Sequence, residues 1–228
     1  MRIFAKNWSQ MVKRAIMAGA SGLVGSSLLE ILLNEPGYNE VLIFVRKELP
    51  LKHNKLKQLR VDFNTLDEYS AAITGDVIFC CLGSTKKKTP NLDDYKKVDH
   101  DYPLKLAQIA LKNKIDQFHL VSAIGANVSS SNFYTKMKGE TEEDIIKVGL
   151  PVLQIYRPSL LTGDRKENRP LEIFFTGLMK ILNPLLIGNL KKYRSISAKT
   201  VAGAMYKQSL KNERGVYIYS SDKIQELS

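Results

Sequence analysis

Tyr134 and Lys138 stand four residues apart in a stretch, Tyr134-Thr135-Lys136-Met137-Lys138-Gly139-Glu140, with helical character. That spacing puts both side chains on one helix face. A phenol of ordinary pKa near ~10 is a poor acid–base group at neutrality, and an ammonium beside it favours the phenolate. The pair therefore has the makings of a proton donor to a carbonyl oxygen, or of a proton acceptor from an alcohol. Such pairs are frequent on surface helices, where they are a packed tyrosine beside solvated lysines. Their weight here comes from what accompanies them. Ser122 closes the apolar run His119-Leu120-Val121, at a strand end where its hydroxyl would hold the substrate oxygen for Tyr134.

A second constellation lies near the start of the chain. Gly19-Ala20-Ser21-Gly22-Leu23-Val24-Gly25 follows an apolar strand candidate and opens an apolar helix candidate. Glycines let backbone N–H groups approach a phosphate at the positive end of a helix, and the third lets the helix pack on the strand. A glycine trio alone is weak evidence, but strand, turn and helix are the required context. The expected ligand is a dinucleotide, NAD(P)H. The next strand candidate ends in Arg46-Lys47, with Glu48 just beyond. Basic residues at that tip accommodate a 2′-phosphate, so NADP(H) is preferred over NAD(H).

The elements that must position these groups read as alternating strands and helices. Apolar runs occur at 14–18, 40–45, 57–61, 77–82, 117–122, 152–156 and 216–219, with helical patterns at 24–34, 66–73, 93–112, 134–148 and 198–211. Near-continuous Val, Ile, Leu and Phe indicate strands covered on both faces. The expected fold is α/β, a doubly wound parallel sheet in one domain over 13–228, with a small C-terminal lobe on the substrate side. Residues 1–12 read as an extension. The segment 170–188 carries an apolar helical face, which leaves open a core role, a self-association surface, a lid or a membrane-surface helix.

Composition narrows the partners. The chain has 228 residues, 44% hydrophobic and 25% charged, as globular domains do. No apolar run reaches the ~20 residues of a membrane span, and the N-terminus lacks the apolar core of a secretory signal. A cytoplasmic setting is expected. The two cysteines, Cys80 and Cys81, are neighbours on a strand and point to opposite faces, reading as buried apolar groups. His53, His100 and His119 show no ligand spacing, so no metal is expected. The net charge is +11, yet Lys86-Lys87-Lys88 is the single tight basic run. With no nucleic-acid motif, nucleic acid and membrane surfaces are disfavoured as partners. A monomer or homodimer acting on a small carbonyl or alcohol is expected.

The sequence also resembles a known family, the atypical short-chain dehydrogenase/reductases of the Tat-interacting-protein oxidoreductase branch. The resemblance rests on Gly19-x-x-Gly22-x-x-Gly25, Arg46, Val61-Asp62-Phe63, the 79–85 stretch Phe-Cys-Cys-Leu-Gly-Ser-Thr, and Val98-Asp99 with Asp101-Tyr102. It continues through Ser131-Asn132-Phe133-Tyr134, Lys138-Gly139-Glu140, Tyr156-Arg157-Pro158 and Asp164-Arg165. It implies a Rossmann sheet with Asp62 and Phe63 at the adenine, and Leu82 and Gly83 beneath the ribose and phosphates. It also implies Leu161 and Arg169 near the nicotinamide end, and Lys138 on the nicotinamide ribose. Ser159 stands where relatives often carry glycine. The implied activity is NADP-dependent hydride transfer through Ser122, Tyr134 and Lys138; the alternative is a protein that senses NADPH with little or no turnover.

Overall fold

The computed structural model describes residues 13–85, 89–163, 183 and 186–228. The extension at 1–12, the lysine run 86–88, Asp164, Arg165, Arg169 and most of the segment 170–188 lie outside the described residues.

Seven parallel strands form the main sheet: β1 Arg14–Ala18, β2 Glu40–Val45, β3 Leu56–Arg60, β4 Val77–Cys80, β5 Gln117–Val121, β6 Val152–Arg157 and β9 Gly215–Ser220. Their order is β3-β2-β1-β4-β5-β6-β9. A small separate ladder pairs β7 Leu161–Thr162 with β8 Ile196–Ser197. A 3-10 turn at Gly188–Tyr193 precedes β8. Alternating side chains feed two cores. Met17, Ile43 and Phe79 pack on one face against α1 (Leu23–Asn34) and α5 (Ala198–Ser209). Ile16, Phe44, Ile78 and Phe118 pack on the other, against α3 (Tyr102–Lys112) and α4 (Phe133–Val148). Burial on both faces is why these strands read as continuous apolar runs. Each such fully buried aliphatic or aromatic side chain stabilises by about 1.5–3 kcal/mol.

Strand order reverses at β1 and β4, and the crevice at their carboxyl ends is where ligands of such sheets bind. The doubly wound expectation therefore holds, with local differences. The 66–73 segment is a 3-10 helix over Phe63–Ala72, interrupted at Thr65. The 93–112 segment is not one regular helix: α2 (Leu92–Lys96) runs into a π turn at Lys97–Asp101 before α3 begins. A last helix, α6 (Ser221–Leu227), follows β9 directly. Its seven residues are too few for a periodicity argument to find.

Helix α4, which carries Tyr134 and Lys138, is held close to the loop after β5. A Cβ at Gly139 would sit 2.4 Å from the Asn127 carbonyl carbon and 2.4 Å from the Val128 nitrogen. Alanine there gains about 1 kcal/mol of helix propensity. Overpacking costs about 1–3 kcal/mol, and backbone atoms cannot rotate aside. Gly139→Ala is expected to lower the thermal midpoint; a rise would show that the helix can back away freely.

Candidate active site

The glycine turn is crowded to the limit at two of its three glycines. Gly19 has φ +86°, and a Cβ there would lie 2.4 Å from the Cys81 carbonyl oxygen. A Cβ on Gly25 would lie 2.0 Å from the Gly19 oxygen. The Gly22 N–H donates to the Gly19 carbonyl at 3.0 Å, closing the turn. Gly22 is the N-cap of α1 and brings no side-chain acceptor, and the first turn holds no acidic residue. The helix end thus keeps its N–H donors and positive dipole for an anion. Ser21 is exposed there, Leu23 is partly buried, and Val24 is sunk in the core, so Val24 offers only its backbone. These features fit a pyrophosphate.

The other expected cofactor residues flank the same crevice. Arg46 and Lys47 are exposed immediately beyond β2. Asp62 is exposed beyond β3, and its Oδ1 accepts from the Asn64 N–H at 2.9 Å. The Phe63 ring lies 5.4 Å from that of Tyr102. Leu82 and Gly83 follow β4, and Leu161 sits in β7, opposite Ile196.

Tyr134 opens α4 at the cleft, 38% exposed, its N–H capped by Asn132 Oδ1 at 2.9 Å. Lys138 is 5% exposed and Asp99 1%. Lys138 Nζ stands 2.8 Å from Asp99 Oδ1, an ion pair taken almost wholly out of water. The π turn aims Asp99 inward, and its other oxygen accepts from the Ser84 N–H at 2.7 Å. Burial alone would pull the Lys138 ammonium down, but Asp99, aided by Tyr134, more than offsets this and raises its pKa. For Tyr134 the expectation of a lowered pKa fails. Crowding by protein pushes the phenol above its ordinary value; Lys138 pulls it down, and Asp99 adds to the rise. The lysine's charge is largely spent on its carboxylate.

Ser122 also departs from expectation. It is buried, and its hydroxyl donates to Glu142 Oε1. Arg157 grips the same carboxylate, with Nε 3.0 Å from each oxygen and Nη2 on Oε2. The cleft beside Tyr134 is instead lined by Ser84, Thr85, Tyr95, Asn132 and Phe133. Asp99, Ser84 and Tyr95 were not singled out from the sequence as site residues. A carboxylate within a helical run reads as solvated, whereas this one lies in the π turn and is buried against Lys138 and Ser84.

Sheet, switch point and uncapped glycine turn define a dinucleotide-binding Rossmann protein. Residues 19–174 match the family described as NAD(P)H-binding. Protein HTATIP2 of Rattus norvegicus is 39% identical over 164 residues, 70% of this chain and 67% of that protein. Protein FMP52, mitochondrial, of Candida albicans is 35% identical over 158 residues, 67% of this chain and 69% of that protein. Among solved structures, the Bordetella bronchiseptica enzyme WbmH in complex with NAD+ superposes with TM-score 0.71 at 17% identity, covering 94% of this chain and 79% of that one. The oxidoreductase ylbE from Lactococcus lactis gives 0.61 at 20% identity, covering 93% and 95%. The structural likenesses speak to the fold. The chain belongs to the NAD(P)H-binding family.

The same relatives overturn the cytoplasmic expectation, since those from Candida albicans and Saccharomyces cerevisiae are named mitochondrial. The expectation tested only for a secretory signal and a span. Residues 1–14 hold Arg2, Lys6, Lys13 and Arg14 and no acid, a bias that such a test does not score.

Asp99→Ala would strand a buried ammonium and is expected to cost about 3–5 kcal/mol in urea unfolding. Because the Lys138 pKa is raised on folding, the stability it brings is complete below the ordinary lysine value of 10.5 and is lost as pH climbs through the folded value. The gap in urea midpoint between wild type and Asp99→Asn should therefore shrink above that pH. A gap that stays constant to pH 11 would show that the contact is not ionic.

Proposed function

We infer that the protein is an NADP-dependent oxidoreductase that moves hydride between the nicotinamide and a small carbonyl or alcohol. The observation that carries this reading is Tyr134 at the cleft, backed by the buried Lys138–Asp99 pair. A buried ion pair seldom gains over apolar packing of equal volume. Its presence behind the Tyr134 phenol favours acid–base work over a sensor that only binds the coenzyme.

The turn from Gly19 to Gly25, with Ser21, Leu23 and Val24, would hold the pyrophosphate through backbone N–H groups. Arg46 and Lys47 would pair with the 2′-phosphate, Asp62 and Phe63 would border the adenine, and Leu82, Gly83 and Leu161 would line the path to the nicotinamide. The bound nicotinamide supplies or receives the hydride. Tyr134, kept protonated at neutral pH by its raised pKa, donates its proton to the carbonyl oxygen and recovers one from solvent. Lys138 stabilises the transient phenolate, and Asp99 keeps the ammonium in place. Ser122, with its hydroxyl on Glu142, fixes the β5 loop against α4. A protonated phenol suits reduction; alcohol oxidation requires its loss, so oxidation should accelerate as pH rises toward and beyond 10. We extend the mitochondrial setting of the relatives to this chain on the strength of their similarity.

Tyr134→Phe should bind NADPH as wild type does and lose at least about 100-fold in single-turnover hydride transfer. Equal rates would remove the catalytic assignment. Arg46→Asp should weaken NADPH by about ten-fold or more while sparing NADH, read by fluorescence titration. An unchanged preference would move the 2′-phosphate elsewhere.

A further inference from the structure

The cleft beside Tyr134 has a volume of about 400 Å³, and three of its six lining side chains are aromatic. The Tyr95 and Phe133 rings lie 5.8 Å apart at 58°, an inclined wall along one side. Such rings hold a flat conjugated partner by offset or edge-to-face contacts, and hold a puckered saturated one less well. Their cost of ordering is already met: Tyr95 is 2% exposed, and its hydroxyl donates to the Ser84 carbonyl at 3.3 Å.

Ser84 is held on three sides. Its N–H is bound by Asp99 and its carbonyl by Tyr95. Its Oγ lies 2.5 Å from Thr89 Oγ1, where either oxygen can be the donor. When Thr89 donates, the Ser84 proton is free to meet an oxygen in the cleft. Through Asp99, the Ser84 backbone is also linked to Lys138, whose charge acts on Tyr134 across the same cleft. Ser122 cannot serve in this way while it donates to Glu142.

Resting on the oxidoreductase reading above, we propose that the substrate is a planar aromatic aldehyde or ketone whose oxygen is held jointly by the hydroxyls of Tyr134 and Ser84. The carbonyl carbon accepts a hydride from the reduced nicotinamide as the C=O π pair moves onto oxygen. That oxygen takes the proton of Tyr134 and keeps the hydrogen bond from Ser84. The products are the aryl alcohol and oxidised coenzyme, and the phenolate is reprotonated by water.

The test compares benzaldehyde with cyclohexanecarboxaldehyde, a ring of equal carbon count that is puckered rather than flat, using the full chain and NADPH. Wild type should favour benzaldehyde by about ten-fold or more in kcat/KM, and Phe133→Leu should erase most of that preference. Ser84→Ala should lose about 100-fold in kcat, the scale of one donor removed from a reacting oxygen. It should hold its NADPH Kd within about two-fold, and Ser84→Thr, which keeps a hydroxyl, should recover most of the rate. Equal or better use of cyclohexanecarboxaldehyde overturns the substrate class and leaves the oxidoreductase reading standing. A Ser84→Ala enzyme as fast as wild type, or a larger loss on Ser122→Ala, overturns the hydroxyl assignment. NADPH binding with no hydride transfer to either aldehyde overturns this inference, and the oxidoreductase reading falls with it only if a panel of aliphatic aldehydes, ketones and alcohols gives no transfer either.

Discussion

The arrangement depends on backbone meeting backbone where β1 and β4 end. Gly19 presses against the Cys81 carbonyl while its own oxygen occupies the space a Gly25 side chain would need. This double approach brings α1 onto the sheet and leaves its first turn open to an anion. The same contact fixes where the chain leaves β4. Leu82, Gly83 and Ser84 follow at once, and the Ser84 N–H is anchored on Asp99. A short run of contacts therefore leads from the glycine turn to the buried Lys138–Asp99 pair.

Helix α4 is secured by two buried carboxylates used in opposite senses. Asp99 reaches in from the π turn to neutralise Lys138. Four residues further along α4, Glu142 reaches out to Arg157 on β6 and to Ser122 after β5. Residues at that spacing share a helix face, so one face of α4 is tied to both of its neighbours by charge. Each tie removes ions from water, and neither is a sound way to add stability alone. What they provide is placement: the helix cannot rotate without breaking both.

Much of the frame was legible in the sequence. The strands announced themselves because both sheet faces are covered, and the cradle because glycine spacing and context coincide. Tyr134 and Lys138 were found by helical spacing. The direction of the Ser122 hydroxyl was not, because it is decided by Glu142 and Arg157, which are distant in sequence and join it only through packing. Nor was the sign of the Tyr134 shift. It depends on how much water the fold excludes and on a carboxylate 35 positions earlier. Asp99 was quoted as part of the resemblance, but its pairing with Lys138 was not foreseen for a related reason: apolar periodicity reports the dominant face of a helix and is blind to one irregular turn.

That irregular turn has a consequence for how this site can vary. A regular α-helix turns about 100° per residue, and a π turn absorbs one extra residue without altering the path of the helix beyond it. Loss of a single residue between 97 and 101 would restore an even winding, swing the carboxylate off Lys138 and off the Ser84 N–H, and leave the strand order of the sheet as it is. Within this architecture, a single codon decides whether the buried lysine of α4 keeps its counter-ion.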